Sequence, residues 1–418
     1  MVEEIKFSKY YKSVKYLEST LDIERPEYME NRHSDGSFFL LRMKELIKYL
    51  DIDLSKFKYI HIAGTSGKGS TTALVHQLLI DNGKKVGSFY SPHPTTSIER
   101  IKVGDKYISP SDFTKLIEKI KPIVKKMSKG SKYGAPSYFE IFLAMALIHF
   151  TKKKCEYVVL ETGCGGEFDA TNAIPAPLVS AITNIGFDHM QILGKTLEKI
   201  AKTKAGIIKK GSICVTTEKR DKLLKIFESI CKTKKAKFIS IKGSNEELAI
   251  EIGRQLGLKK LELKPLKLSC RLESIQKNPR VILDGAHNYD KLKSTFNNLE
   301  NIKYNKLYLI FTLNENKEVQ RIIKMVSSSL PKGSEVILTK HLIEGRACAM
   351  PKMMYNLFPS GIKDNISIYT DPWEALERVI KKARKNDLIL ITGSFYLAGE
   401  LRKKWILEEE ILRNNETF

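Results

Sequence analysis

The sequence lacks long hydrophobic runs, paired cysteines and an apolar leader. No apolar stretch reaches the roughly 18 residues that a membrane-spanning helix needs, and residues 1–6 lack the apolar core of a signal peptide. The six cysteines are scattered, with no C-x-x-C pair, which argues against a zinc cluster or a disulfide framework. We therefore expect a cytoplasmic protein without a membrane partner.

Acidic residues are scarce relative to basic ones. The chain has 71 Lys and Arg against 48 Asp and Glu, which gives a formal net charge of +23. Such a charge can indicate nucleic-acid binding, but the lysines are spread along the chain and no Arg/aromatic repeat accompanies them. We predict no nucleic-acid partner, and we expect the positive field to favour anionic substrates such as ATP or a polycarboxylate.

Strand and helix patterns alternate from residue 59 onward, which predicts an α/β fold with a mainly parallel sheet. At 418 residues the chain is too long for one ordinary core. The pattern restarts after residue 260 or so. We therefore predict a P-loop-containing, mainly parallel sheet domain over residues 1–265 and a smaller Rossmann-like α/β domain over residues 266–418.

A glycine-rich segment with one lysine has the composition of a phosphate-binding loop. It follows an apolar run typical of a buried parallel strand and precedes a helical pattern. Glycines let backbone N–H groups approach phosphate, and the helix dipole favours negative charge. Lys68 supplies a charge for the β- and γ-phosphates, and the hydroxyl of Ser70 or Thr71 is expected near the metal. The predicted ATP-binding residues are Gly64, Thr65, Ser66, Gly67, Lys68, Gly69, Ser70 and Thr71.

Polar residues also follow three other predicted strands. Ser91 comes just after one strand, Glu161 ends the next, and His189 lies in the turn after a third. Ligands of open α/β sheets bind at the carboxyl ends of strands. A single Glu or His in such a place is more often structural, but three such turns after a phosphate loop indicate a site.

Seven short motifs occur along the chain in the order G-T-S-G-K-G-S, S-P-H, E-T-G-C-G-G-E-F-D-A-T-N, G-F-D-H, K-A-G-I-I-K, D-G-A-H-N and T-G-S-F-Y-L. Together they closely resemble the Mur ligase superfamily, with folylpolyglutamate synthase/dihydrofolate synthase as the nearest branch. The resemblance implies an enzyme that uses ATP to phosphorylate the carboxylate of a folate or dihydropteroate. The amine of L-glutamate then attacks the acyl phosphate.

The resemblance also implies roles for individual residues. Ser91, Glu161 and His189 match ligands of Mg²⁺, and Lys204 matches the lysine that this family carbamylates with CO₂. Lys68, Lys204 and His189 would then be the catalytic residues. Nucleotide contacts are implied for four further residues, Asn245, Arg271, Asp284 and His287.

One departure leaves the acceptor substrate open. Glu167 stands where the folate branch usually has Arg, in the loop near the pterin. An alternative is therefore a Mur-type amide ligase that joins another amino acid to a different carboxylic acid. A nucleotide-binding protein without catalysis is a third interpretation, and the retained lysines and carboxylates speak against it. We expect a monomer whose partners are small molecules: ATP, L-glutamate and a folate or dihydropteroate.

Overall fold

A computed structural model describes residues 2–20, 36–315, 317–343 and 347–415. The chain divides into two compact units. The first holds the described residues within Met1–His93, Ser97–Leu266 and Leu412–Thr417, and the second holds those within Pro94–Thr96 and Lys267–Ile411. None of the described helices combines the length and the apolarity needed to cross a membrane.

The first unit is built on one eight-stranded sheet. Its strands are β1 (Lys58–Ala63), β2 (Val86–Phe89), β3 (Ile101–Val103), β4 (Lys106–Tyr107), β5 (Tyr157–Glu161), β6 (Val179–Ile182), β7 (Ile213–Thr216) and β8 (Lys237–Ser240). Their order is β4-β3-β2-β5-β1-β6-β7-β8. The neighbouring pairs in the part of this order that runs β2-β5-β1-β6-β7-β8 are all parallel. At the other edge, β3 pairs antiparallel with both β2 and β4.

Helices cover both faces of this sheet. They are α1 (Val2–Glu18), α2 (Ser37–Tyr49), α3 (Lys68–Asp81), α4 (Pro110–Gly130), α5 (Tyr138–Lys152), α6 (Met190–Leu193), α7 (Leu197–Ala205), α8 (Asp221–Lys234) and α9 (Asn245–Gln255). One core layer packs α3 and α9 on the sheet through Leu78 and Ile252. Another packs α7 and α8 through Ile200, Phe227 and the β6 residue Ile182. Because both faces are covered, the central strands are continuous apolar runs rather than alternating ones.

The second unit contains a six-stranded sheet of β9 (Glu273–Lys277), β10 (Arg280–Leu283), β11 (Leu307–Phe311), β12 (Glu335–Leu338), β13 (Ile366–Ile368) and β14 (Leu388–Thr392). The order is β13-β12-β11-β14-β10-β9, and only β9 pairs antiparallel. Its helices are α10 (Tyr289–Leu299), α11 (Val319–Ser329), α12 (Pro351–Leu357), α13 (Ser360–Lys363), α14 (Pro372–Lys382) and α15 (Phe395–Arg402). Helix α16 (Glu408–Asn414) follows them.

The predicted fold class is confirmed: a P-loop-containing, mainly parallel sheet is followed by a smaller Rossmann-like α/β unit. One predicted strand is shorter than expected. The apolar pattern predicts a strand over residues 179–185, but β6 ends at Ile182. The Thr183 N–H still donates to Ala63 O at 2.9 Å, while the Thr183 and Asn184 side chains bond the loop after β1.

Candidate active site

The loop between β1 and α3 requires glycine at two positions. Gly64 has a φ of 148°, and a Cβ there would lie 1.7 Å from Thr183 Oγ1. Gly67 has a φ of 82°, and its Cβ would lie 2.3 Å from Asn245 Oδ1. A larger residue at either position would strain the backbone and clash with a packed neighbour. The sequence thus folds into the strand, tight loop and helix N-terminus that suit a phosphate.

Two lysines converge on one carbonyl of this loop. Lys68 Nζ donates to Gly64 O at 3.1 Å, and Lys204 Nζ, from α7, donates to the same oxygen at 2.8 Å. Lys204 is only 3% exposed. Burial and then the nearby charge of Lys68 lower the pKa of Lys204 to about 8. Roughly a fifth of its amine is therefore neutral at about pH 7.4, far more than for an ordinary lysine.

Three acidic groups near Lys204 partly oppose these effects. Cys164, Asp188 and Asp169 each favour the charged form of the amine. Asp169 is buried and accepts the Cys164 N–H at 2.8 Å and the Thr171 N–H at 3.0 Å, while burial raises its pKa. Neither aspartate is among the predicted site residues, although both lie in the motifs that resemble the family, E-T-G-C-G-G-E-F-D-A-T-N and G-F-D-H.

The structure brings two of the three predicted metal ligands together. The Ser91 N–H donates to Glu161 Oε2 at 3.0 Å, at the adjacent carboxyl ends of β2 and β5. Glu161 is 3% exposed. A carboxylate and a hydroxyl are oxygen donors of the kind that Mg²⁺ prefers.

The third predicted ligand is placed by a separate turn. His189 precedes α6 with a φ of 50°, and its Nε2 lies 3.9 Å from Asp188 Oδ2. Its side chain is 36% exposed. Among the residues that the structure describes, no three His, Cys, Asp or Glu side chains form a ready-made metal cluster. The predicted set has only two such side chains and depends on the Ser91 hydroxyl for its third ligand.

Several hydroxyls around the phosphate loop are buried without a partner. In the described part of the chain, Ser66 Oγ, Thr71 Oγ1 and Thr72 Oγ1 have no hydrogen-bond partner. Buried polar atoms are normally paired, so orphaned ones mark an absent ligand or water. Their position in and just after the loop fits a site that holds phosphate and a hydrated metal. Asn245, the first residue of α9, lies against this loop at Gly67.

In the second unit, the remaining predicted residues lie at the end of β10 and in the turn before β9. Asp284 is 7% exposed and accepts bonds from the Leu272 N–H at 2.9 Å and the Thr295 hydroxyl at 2.7 Å. Burial raises its pKa, although several hydrogen bonds and the charge of Arg271 oppose this. His287 Nδ1 donates to Gly285 O at 2.8 Å. The periodicity of α10 gave no reason to select Thr295.

Comparison with known proteins places the chain in a family. The Mur ligase middle domain matches residues 62–288, and the Mur ligase glutamate ligase domain matches residues 270–395. The chain is 31% identical to the dihydrofolate synthase/folylpolyglutamate synthase of Bacillus subtilis. That alignment spans 418 residues and covers 87% of this chain and 94% of the relative.

Two solved structures have the same fold. The Mycobacterium tuberculosis folylpolyglutamate synthase complexed with ADP superposes with a TM-score of 0.82 at 22% identity, covering 93% of this chain and 99% of that one. The bifunctional folylpolyglutamate synthase/dihydrofolate synthase of Yersinia pestis, complexed with AMPPNP and Mn ion, gives a TM-score of 0.74 at 23% identity, covering 90% and 96%. These likenesses show the fold, while the family models and the B. subtilis relative show the family. The chain therefore belongs to the Mur ligase family, in its dihydrofolate synthase/folylpolyglutamate synthase branch.

Proposed function

We propose that this chain is an ATP-dependent ligase that joins L-glutamate to the carboxylate of a folate or dihydropteroate through an acyl phosphate. The observation that carries the proposal is the convergence of Lys68 and Lys204 on the phosphate loop at Gly64. That loop belongs to a chain of the dihydrofolate synthase/folylpolyglutamate synthase branch. The Lys68 cation at the helix N-terminus that follows this loop suits the charge of a triphosphate and of a phosphoryl group in transfer.

The chemistry requires activation because a carboxylate is a poor electrophile. Transfer of the γ-phosphoryl group from ATP to the acceptor carboxylate gives an acyl phosphate and ADP. The neutral amine of L-glutamate attacks the acyl carbon, the C–O bond to phosphate breaks, and the amine releases a proton. Lys68 and the loop N–H groups stabilise the charge on the transferring phosphoryl group.

A divalent metal would be held by Ser91, Glu161 and His189. When bound, Mg²⁺ would neutralise phosphate charge during transfer. The buried Glu161 carboxylate, bonded to the Ser91 N–H, supports this assignment. A relative with this fold was solved with AMPPNP and Mn ion, which supports a nucleotide and a divalent cation here.

Lys204 is the residue that we propose to be carbamylated. Only a neutral amine adds CO₂, giving a carbamate anion and a proton, and a pKa of about 8 makes the neutral form much more accessible than in an ordinary lysine. The modification would also turn the repulsion between Lys204 and Lys68 into attraction. ¹³C NMR of protein in ¹³C-bicarbonate should show a carbamate signal that is absent from Lys204→Met. A parent protein without that signal would contradict the proposal.

The nucleotide contacts proposed for the other residues follow the same reasoning. Asn245 lies against Gly67 of the phosphate loop. Arg271, Asp284 and His287 lie at the carboxyl end of β10 and in the turn before β9, where ligands of parallel sheets bind. We propose that all four contact ATP, and that the functional domains are residues 1–265 and 266–418. We also propose a cytoplasmic monomer that acts on small molecules.

One observation favours a second candidate function. Glu167 is exposed, while its backbone is fixed by an N–H bond to Thr203 O at 2.8 Å and by an Asn172 Nδ2 bond to its own carbonyl at 2.9 Å. A fixed loop that presents a carboxylate would repel an anionic acceptor. The alternative is a ligase of the same mechanism that acts on another carboxylic acid.

The deciding experiment measures ADP release with dihydropteroate, with a reduced folate and with other carboxylic acids, each with and without L-glutamate. The proposal predicts ADP release that requires both a pteridine acceptor and L-glutamate. Lys68→Ala serves as the inactive control. Release with a non-pteridine acid but with neither pteridine would support the alternative.

A further inference from the structure

One residue of the phosphate loop directs its polar groups into the protein rather than into the site. Thr65 is 1% exposed. Its hydroxyl donates to Gly186 O at 3.1 Å and accepts the Gly186 N–H at 2.9 Å. Its own N–H donates to Asn184 O at 2.9 Å. The side chain of Thr65 therefore ties the phosphate loop to the segment that follows β6.

The next loop residue is held by the same segment. The Ser66 N–H donates to Asn184 Oδ1 at 2.9 Å, and the Thr183 hydroxyl donates to Ser66 O at 2.6 Å. We refer to residues 183–186 as the β6 clamp. The clamp thus binds the backbone of the two residues between Gly64 and Gly67.

The β6 clamp is fixed on its other side as well. The Ile185 N–H donates to Glu218 Oε2 at 3.0 Å, and Arg220 Nη2 donates to Ile185 O. Arg220 also pairs with Glu218 at 2.7 Å. The N–H and carbonyl of the central clamp residue are therefore both bonded, which leaves the clamp little freedom to move independently of β7.

The clamp leads directly to the proposed metal ligand. His189 follows Gly186 by three residues, and its N–H donates to Asp188 Oδ1 at 3.0 Å. Only two residues separate Gly186 from His189, so a change in the position of Gly186 would reach His189 along this short backbone segment. The phosphate loop and the metal ligand share one support, and Thr65 is the loop residue whose side chain bonds it.

We propose that Thr65 is a positioning residue whose hydroxyl fixes the turn carrying His189 against the phosphate loop. The inference rests on the proposed nucleotide and metal roles of these two elements. Phosphate and metal must keep a set distance during phosphoryl transfer, and errors of about 0.5 Å matter in such sites. Loss of the Thr65 hydroxyl should therefore weaken nucleotide binding and metal activation together, without affecting L-glutamate.

The test compares Thr65→Val, which keeps the shape and removes the hydroxyl, with Thr65→Ser, which keeps the hydroxyl. Thr20→Val is the matched control, because Thr20 is also buried with a hydroxyl bond, to Leu17 O, but lies outside the site. Four quantities are measured: the Kd of AMPPNP with Mg²⁺ by calorimetry, the Mg²⁺ concentration for half-maximal activity, the KM for L-glutamate, and Tm. AMPPNP binding needs no turnover, so it tests the clamp even if the acceptor chemistry differs from the proposal.

For Thr65→Val we expect the Kd and the half-maximal Mg²⁺ concentration each to rise about tenfold or more, because two hydrogen bonds are lost and the Gly186 N–H is left unpaired. The KM for L-glutamate should stay within about twofold, and Thr65→Ser should resemble the parent. Adding His189→Ala should remove most of the effect of Thr65→Val on metal activation, since coupled residues are non-additive.

Two results would overturn the proposal. The first is a Thr65→Val protein with lowered Tm but unchanged Kd and metal activation, as expected of Thr20→Val; the hydroxyl would then be purely structural. The second is a Thr65→Ser protein as impaired as Thr65→Val, because the retained hydroxyl would then not be enough to hold the turn. If the parent binds AMPPNP but adds no L-glutamate to any acceptor, the proposed function fails and the calorimetric comparison still decides the role of Thr65.

Discussion

Lys204 should make the stability of the protein depend on pH in one defined window. Its pKa in the folded chain is about 8, against 10.5 for an unperturbed lysine. Below pH 8 the amine is protonated in both the folded and the unfolded state, so the full cost of burying the charge is present. As the pH rises from 8 to 10.5, the folded protein loses this proton before the unfolded chain does, and the cost is relieved.

The size of the effect follows from the shift in pKa. Each pKa unit corresponds to about 1.4 kcal/mol, so the full cost is about 3 kcal/mol. Solvent screening should reduce it little, because Lys204 is only 3% exposed. Between pH 7 and pH 9 the linkage relation predicts that Lys204 raises the free energy of unfolding of the parent by about 1 kcal/mol, relative to a variant without this amine.

The assay is urea unfolding of the parent and of Lys204→Met at pH 7, 8 and 9 in CO₂-free buffer. We subtract the free energy of unfolding of the variant from that of the parent, so that contributions from other groups cancel. This difference should rise by about 1 kcal/mol between pH 7 and pH 9. Lys202→Met is the control, since Lys202 is exposed two residues earlier on the same helix. If the parent-minus-variant free energy of unfolding changed as little with pH for Lys204→Met as for Lys202→Met, the lowered pKa of a buried Lys204 would be refuted.

Three further predictions concern activity. Lys68→Ala should lower kcat at least about a hundredfold, because it removes the positive charge beside the transferring phosphoryl group. Tm should change little because the side chain is partly exposed, and near-normal kinetics would contradict the phosphate role. Glu161→Gln should raise the Mg²⁺ concentration needed for half-maximal activity, because Mg²⁺ prefers a charged ligand, whereas the exposed Glu156→Gln should not; equal metal dependence would remove Glu161 from the metal site. Glu167→Arg should lower the Kd of folate-type acceptors about tenfold by reversing one charge near the ligand; a weaker affinity for every pteridine would favour the alternative ligase.

The sequence predicted those parts of the site that depend on strand ends. Ser91 follows the end of β2 and Glu161 ends β5, and parallel neighbours place their carboxyl ends side by side, so their proximity could be predicted. The contact of Lys204 with Gly64 spans 140 residues and depends on how α7 packs. No local pattern encodes that packing. Lys204 was therefore predicted as a site residue only from the resemblance to a family.

The β6 clamp was missed for a related reason. The pattern of residues 179–185 predicts a strand to its end, although Asn184 and Gly186 are residues that favour a turn. Beyond Ile182, the Thr183 and Asn184 side chains bond backbone groups of Ser66 in the loop after β1. These contacts join residues far apart in the sequence, so no local pattern indicates them. The bonds of the Thr65 hydroxyl to Gly186 likewise give Thr65 a role that its place in a phosphate motif would not suggest.

The two lysines on Gly64 O explain why this site should favour anions before any ligand is named. Nitrogens 2.8 and 3.1 Å from one oxygen lie within about 6 Å of each other. At an effective dielectric constant of about 20, two unit charges at that distance repel by roughly 3 kcal/mol. A neutral carbonyl cannot offset this repulsion, which adds to the larger effect of burial in lowering the pKa of Lys204. A triphosphate would supply the missing negative charge from outside, and a carbamate on Lys204 would supply it from within. If Lys204 carries the carbamate, Lys68 is the lysine left to pair with the triphosphate. The protein should therefore bind nucleotide more tightly in bicarbonate only if the carbamate on Lys204 orients Lys68 toward the phosphate.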